Sequence, residues 1–204
     1  MNGFDILVSK SMNSIIKENL GKKTIQKVEN RLFEKYGINL TQAVVEFHKL
    51  DAVLREFFGV GADGLEKKFF EKVASLEKLE NKEREWIRLE DRTLSQTILE
   101  SFGDNDKKLI LNLLSDRSLI VADILDICKI PQTSGYRKIN VLIQSGLLIP
   151  NGHVTTNEGK KVTKYTSLFD NFKIDIEKNN IAVKARLKSE AANNSSVIQI
   201  MQVL

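Results

Sequence analysis

The chain has 204 residues, 42% of them hydrophobic and 28% charged, which is ordinary for a globular chain of one or two compact domains. It contains one cysteine and two prolines, which excludes an internal disulfide and a cysteine zinc site and favours long helices. The formal net charge of +4 is uneven, because residues 131–188 carry ten Lys and Arg against four Asp and Glu. A polyanion, if one binds, is expected to bind in that region.

We expect a cytoplasmic protein. The first ten residues do not combine a basic start with a long apolar run, so they do not have the pattern of a signal peptide. No apolar stretch approaches the roughly 20 residues that a membrane-spanning helix needs. A single cysteine is typical of a reducing compartment.

Residues 1–80 are predicted to form a helical domain. Apolar residues recur at helical spacing in segments that end at Gly21, Gly37 and Gly59, and glycine is the usual residue at a helix C-terminus. Thr41 is expected to cap the helix that runs to Phe58.

The letters GVGADG at residues 59–64 match G-x-G-x-x-G, the pattern that binds dinucleotide phosphates. That fingerprint requires a buried strand before its first glycine, whereas residues 47–58 have helical spacing. Asp63 and Glu66 fit a capping box that opens the next helix. We therefore interpret the motif as a turn between helices, and we expect that NAD, FAD and ATP do not bind there.

The segments LGKKTIQKVENRLFEKYGINL and FFGVGADGLEKKF together resemble the Nitrosopumilus output domain family of archaea, over about residues 4–80. In that family a short helical module is joined to signalling or DNA-binding partners. The resemblance implies an archaeal signalling or regulatory context and assigns no chemistry. We expect residues 1–80 to be the dimerising or signal-receiving part of the protein.

Residues 65–102 contain neither proline nor glycine, which predicts a long helix whose part at 81–103 connects two domains. Its apolar stripe has a charged break at Glu83. Two interpretations stay open, a helix packed on its own domains and a coiled-coil seam, and so does a break near Asp91 or Thr93, either of which could cap a new helix. We expect a homodimer, joined either by a seam of Leu76, Leu79, Trp86 and Leu89 or, because Glu83 interrupts that seam, by the N-terminal helices.

From Asp104 the pattern predicts three helices and a β-hairpin. Asp104 and Ser118 are expected to cap the first two helices, and IPQTSGYRKINVLIQSGLL predicts a third at about 132–145 that stops at Gly146. HVTTNEGKKVTKYTSL alternates around a turn at 157–159. These features resemble a winged helix-turn-helix, and the wing resembles that of archaeal regulators of the class that includes the arsenic-responsive repressors.

The resemblance implies that the third helix enters the DNA major groove. Helical spacing turns Gly135, Ile139 and Leu142 toward the core and the opposite face toward solvent. Arg137 can present its donors to a guanine edge. Contacts to phosphate are expected from other polar and basic residues of the helix and wing, namely Thr133, Ser134, Tyr136, Lys138, Lys160, Lys161 and Lys164.

The segment FKIDIEKNNIAVKARLK alternates around Asn179 and Asn180, which predicts an extra hairpin and a winged-helix domain that extends over 104–188. Its apolar face must pack on another element. Residues 189–204 are predicted to form a flexible tail.

No catalytic constellation emerges. The two histidines are distant in sequence, Cys128 is expected in the core, and the carboxylates are interleaved with lysines. The sequence thus predicts a mainly α protein with a small β portion, without cofactor or metal. We expect a DNA-binding transcription regulator rather than an enzyme. The alternative is a signalling or protein-interaction adaptor whose winged helix binds protein.

Overall fold

The computed structural model describes residues 2–77, 86–156, 159–178 and 180–204, and the side chains of these except at positions 77, 177 and 180. In chain order the described elements are α1 (Gly3–Tyr36), α2 (Leu40–Val45), α3 (Phe47–Phe58), α4 (Gly61–Val73), β1 (Ala74–Glu77), β2 (Trp86–Leu89), α5 (Arg92–Gly103), α6 (Asn105–Leu113), β3 (Leu119–Ile120), α7 (Val121–Cys128), α8 (Gln132–Gln144), β4 (Leu148–Thr155), β5 (Lys161–Ser167), β6 (Phe169–Glu177), β7 (Asn180–Leu187), α9 (Ser189–Asn193) and α10 (Ser196–Val203).

The strands form two antiparallel sheets, one in the order β1-β2-β7-β6 and one in the order β3-β5-β4. In the first sheet β2 pairs with β7, so that Ile87 lies opposite Ala185 and Leu89 opposite Val183. Strands that are about 100 residues apart in sequence therefore share one sheet. The predicted class, mainly helical with a small antiparallel β portion, is confirmed.

The predicted long connecting helix is wrong. α4 ends at Val73, the chain then forms β1 and β2, and α5 begins after Asp91, whose side chain accepts a hydrogen bond from the backbone of Leu94. The segment WIRL of β2 is buried at three of its four positions, and pairing on both edges outweighs the helix propensity of its neighbours.

The dimer seam predicted on that helix is consequently absent among the described residues. Trp86 and Leu89 are each only 4% exposed, because both pack inside their own chain, and Leu76 is half-buried in β1. Leu79 and the predicted break at Glu83 lie outside the described residues.

The glycine stops of the N-terminal helices are confirmed. Gly21 interrupts α1 at a φ of 71°, and Gly37 ends it at a φ of 66°. Thr41 is not the cap. Asn39 begins α2 in a capping box with Gln42, and the helix breaks at Glu46 before α3.

The GVGADG motif joins two helices, as interpreted, but the turn itself is only Gly59, at a φ of 55°, and Val60, and the motif's other four residues already belong to α4. The predicted capping box within it is wrong. α4 begins at Gly61 without a side-chain cap, and Glu66 is fully buried on the inner face of that helix.

Glu66 is held in an unfavourable setting. Neither of its carboxylate oxygens has a hydrogen-bond partner within the described part of the chain. Burial, together with repulsion from Asp51, raises the pKa of Glu66 to about 8. Arg55 bridges Asp51 and Asp63 at 2.6 Å each and opposes that rise.

We expect Glu66→Gln to stabilise the protein at pH 8 by about 1–3 kcal/mol and at pH 5 by much less. Because the pKa of Glu66 is raised on folding, the native state holds a proton that the unfolded state loses, so stability falls between about pH 4.5 and pH 8. Urea unfolding at both pH values measures the effect. The exposed Glu71 of the same helix provides the control, Glu71→Gln, and equal gains at the two pH values would contradict the assignment.

The predicted flexible tail is wrong as well, because residues 189–204 fold into α9 and α10. Val197 and Ile198 are buried against the N-terminal helices. The buried Asp5 of α1 accepts hydrogen bonds from the backbone and hydroxyl of Ser196, both at 3.0 Å, and from the hydroxyl of Ser195. Burial raises the pKa of Asp5.

The start of α1 also packs on the end of α8. Gly146, at a φ of 76°, is so close to α1 that an added Cβ would lie 2.3 Å from the carbonyl oxygen of Gly3 and 3.0 Å from the nitrogen of Leu7. The N-terminal helices and residues 104–188 therefore belong to one hydrophobic core.

Gly146→Ala should lower the free energy of unfolding by about 2 kcal/mol or more, because the methyl group adds a backbone clash to the cost of positive φ. Gly37→Ala is the matched control, since Gly37 also has positive φ but open space around it, and its cost should stay near 1 kcal/mol. Thermal melts of both variants test this, and equal losses would refute the close contact.

Candidate nucleic-acid interface

α8 lies with its apolar face on α6, α7 and β4. Gly135, Ile139 and Leu142 are buried as predicted. A glycine is required at position 135 because α8 and α7 lie close together there. An added Cβ would lie 2.3 Å from a methyl carbon of Leu125 on α7. α8 is thereby fixed in orientation, with its opposite face in solvent.

Of the two helix caps predicted before α8, one is confirmed and one is wrong. Asp104 caps α6, accepting bonds at 3.0 Å from the backbone of Asp106 and Lys107. Ser118 does not cap α7, which begins after Ile120. Its hydroxyl instead accepts a bond from Asn151 of β4 at 2.9 Å.

The solvent face of α8 carries a polar stripe at spacings of four, three and four residues. It consists of Thr133, Arg137, Asn140 and Gln144, all exposed. Asn140 and Gln144 were missed from the sequence, although the spacing that places Gly135, Ile139 and Leu142 inside also places them outside. Arg, Asn and Gln are the side chains that make paired hydrogen bonds to base edges.

Two further predicted residues flank this stripe. Tyr136 is 47% exposed. Ser134 is half-buried, and its hydroxyl donates to the carbonyl of Pro131 at 3.2 Å. A hydroxyl that already donates its proton to a backbone carbonyl can still accept a hydrogen bond, but it has no second proton to donate.

Lys138 differs from the prediction. It does not project into solvent with Arg137. Its ammonium donates to the carboxylate of Asp104 at 2.7 and 2.8 Å and lies 2.9 Å from Asp106. The pairing lowers the pKa of Asp104 and raises that of Lys138. Lys138 therefore joins α8 to the start of α6, which makes it unsuited to a phosphate.

The predicted wing is a hairpin of β4 and β5, paired from Leu148 and Ser167 to Thr155 and Lys161. Lys160 and Lys161 are exposed at its tip. Lys164 is half-buried, with its stem along Gly152. The turn glycine, Gly159, has a φ of 77°, and positions 157–158 lie outside the described residues.

The positive charge of residues 131–188 is divided between two surfaces, which differs from the expectation of one basic region. One part lies on α8 and the wing. The other lies on the sheet β1-β2-β7-β6, where Arg88, Lys184 and Lys173 stand opposite one another across three strands. Lys173 and Arg186 cover the ring of Trp86, at 4.5 and 5.6 Å from its centroid.

Cys128 is half-buried on α7, and burial raises the pKa of its thiol, which makes the reactive thiolate scarcer. Within the described ranges, no group of three His, Cys, Asp or Glu side chains is arranged to hold a metal ion. No helix in those ranges has the length and apolar character to cross a bilayer.

No family model and no curated protein matches this chain.

Lys138→Gln should lower the free energy of unfolding at pH 7 by about 0.5–1 kcal/mol, because the ion pair between α6 and α8 is partly exposed. The lowered pKa of Asp104 means that this contribution is present above the ordinary aspartate pKa near 3.9 and is lost as pH falls below it. Urea unfolding at pH 7 and pH 3 measures this. Lys108→Gln, at an exposed position of α6, is the control, and an effect as large at pH 3 would contradict the ion-pair explanation.

Proposed function

We propose that the protein is a DNA-binding transcription regulator of the winged helix-turn-helix class. The observation that carries the proposal is the stripe of base-reading side chains on α8, presented beside a hairpin with a lysine-rich tip. The order α6-β3-α7-α8-β4-β5, with the second sheet arranged as β3-β5-β4, supports that class. The proposal involves no catalysis and no cofactor.

The residues have different roles in this proposal. α8 lies in the major groove, where Arg137 pairs with a guanine edge and Asn140 with an adenine edge. Thr133 and Tyr136 contact phosphates at the start of the helix, whereas Ser134 already donates its hydroxyl proton to the carbonyl of Pro131 and is not assigned a phosphate. Lys160, Lys161 and Lys164 contact the flanking backbone, which fixes register without reading sequence.

The N-terminal helices would receive a signal or a partner protein. They contact the end of α8 directly through Gly3 and Gly146. A partner bound to α1 would therefore act on the position of the recognition helix without an intervening linker.

A protein-interaction adaptor is the second candidate. It is favoured by apolar side chains that are exposed on the same three helices, namely Leu109, Ile127 and Val141 at 50%, 51% and 42%. In that case the outer surface of α6, α7 and α8 would bind a protein, and added salt would weaken the complex much less.

A salt titration with mixed-sequence duplex DNA separates the two functions. Phosphate contacts release counterions, so the proposed regulator must bind at low salt and lose affinity steeply as salt rises. If micromolar protein does not retain duplex DNA at low salt, the DNA-binding proposal is wrong.

Within that proposal, Arg137→Ala should cost about 1–3 kcal/mol at its preferred base and relax specificity there. Lys161→Ala should instead weaken all sequences alike and reduce the salt slope by about one. Lys138→Gln is the matched control, because Lys138 is already paired with Asp104, and it should leave the slope unchanged. A change of slope in that control, and none for Lys161→Ala, would contradict the assigned contacts.

A further inference from the structure

β6 (Phe169–Glu177) is a nine-residue strand at the edge of its sheet, and among the strands that the structure describes only β7 pairs with it. An edge strand presents unpaired N–H and C=O groups that can pair with another chain. The other edge of the sheet is β1, whose described part covers the four residues Ala74–Glu77. The long open edge is thus on the C-terminal hairpin.

The same hairpin exposes an apolar surface. Ile174, Ile176 and Ile181 are 41%, 70% and 47% exposed and lie on one face, since Ile174 is opposite the buried Val183 and Ile176 is opposite Ile181. The predicted need of this hairpin for a packing partner is met within the chain for the buried Val183, Ala185 and Leu187 and for Phe172, which packs on Phe102 and Phe169. A cluster of exposed isoleucines beside an open edge is typical of a protein–protein interface.

The order of the charged residues along β6 favours a second copy of this chain as the pairing partner. If two β6 strands pair antiparallel about a two-fold axis at Ile174, Lys173 of each copy faces Asp175 of the other, and Phe172 faces Ile176. Opposite charges in directly facing positions stabilise a strand pair, whereas like charges destabilise it. A two-fold axis at residue 173 or 175 would place two lysines or two aspartates together.

The pairing also fits the surroundings of the strand. A groove of about 190 Å³ beside the start of β6 is lined by Phe102, Leu111 and Phe172, among others. Because Ile176 of the second copy would lie next to Phe172, its exposed side chain would reach the mouth of this groove. On the opposite face, the incoming Asp175 would stand at the open end of the row Arg88, Lys184 and Lys173.

We propose that the protein forms a two-fold homodimer by antiparallel pairing of β6 with β6 across Ile174, which joins the two four-stranded sheets into one of eight strands. This interface replaces the seam expected on the connecting helix. It does not require DNA binding, so either proposal can fail without the other.

Charge exchange at the edge tests the proposal by sedimentation equilibrium. Wild-type protein at tens of micromolar should have twice the chain mass of 23.1 kDa. Lys173→Asp alone and Asp175→Lys alone place like charges opposite each other twice, so each should weaken dimerisation at least tenfold. The double exchange Lys173→Asp/Asp175→Lys restores opposite charges, as does an equimolar mixture of the two single variants, and both should be dimeric.

A wild-type monomer at these concentrations would overturn the proposal, as would single variants that dimerise like wild type. So would folded single variants, checked by circular dichroism, whose mixture stays monomeric. The mixture is decisive because a non-specific loss of folding in either variant would not be repaired by adding the other.

A disulfide tests the register directly. Facing residues of an antiparallel pair have Cα atoms about 5.5 Å apart or less, within the span of a disulfide. Ile174→Cys in a Cys128→Ser background should therefore oxidise to a covalent dimer. Ile181→Cys in the same background, exposed on β7 away from the edge, should not. Equal cross-linking of both, or of neither, would contradict an axis at Ile174.

Discussion

The fold depends on the contact between the start of α1 and the end of α8. Gly3 and Gly146 bring two backbones together where a single added methyl group would clash with a carbonyl oxygen at 2.3 Å. The same end of α1 holds the C-terminal segment, because Asn2 donates to the carbonyl of Ala191 at 2.5 Å and Asp5 accepts from Ser195 and Ser196. Three distant parts of the chain are therefore fixed by one helix end, and the polar stripe of α8 is oriented by that junction.

This junction makes the N-terminal helices and the α8 surface a single mechanical unit. α1 touches Gly146, just beyond the end of α8, through backbone atoms, so a shift of α1 along its axis cannot be absorbed there by a change of side-chain rotamer. The strands β1 and β2, which replace the expected connecting helix, pair with β7 and thus join the first half of the chain to the C-terminal hairpin. A signal received by the N-terminal helices would have two routes to the proposed DNA-binding surface.

Helix ends and buried helix faces were predictable from the sequence where they depend on the local residues alone. Gly37 as a helix stop, Asp104 as a cap and the inner face of α8 follow from backbone conformation and period alone. The strand of Trp86 was not predictable, because its stability comes from a partner strand about 100 residues away. Lys138 shows the same limit at the site, since its spacing predicts an outward position and only the tertiary structure supplies Asp104 and Asp106.

Because Lys138 is paired with Asp104, it is not counted among the basic residues that would contact DNA phosphates in the proposed complex. Arg137 is used on a base edge, so the cations assigned to phosphates are the three wing lysines of each copy. Three contacts correspond to a salt slope of about −2.7, which is small for a specific regulator, whereas two copies give about −5.4. A protomer with so few phosphate contacts would gain most in DNA affinity from a second copy held at a fixed distance. The edge strand β6 directly follows the wing strand β5, with one residue between them, so pairing across β6 would fix the relative positions of the two wings.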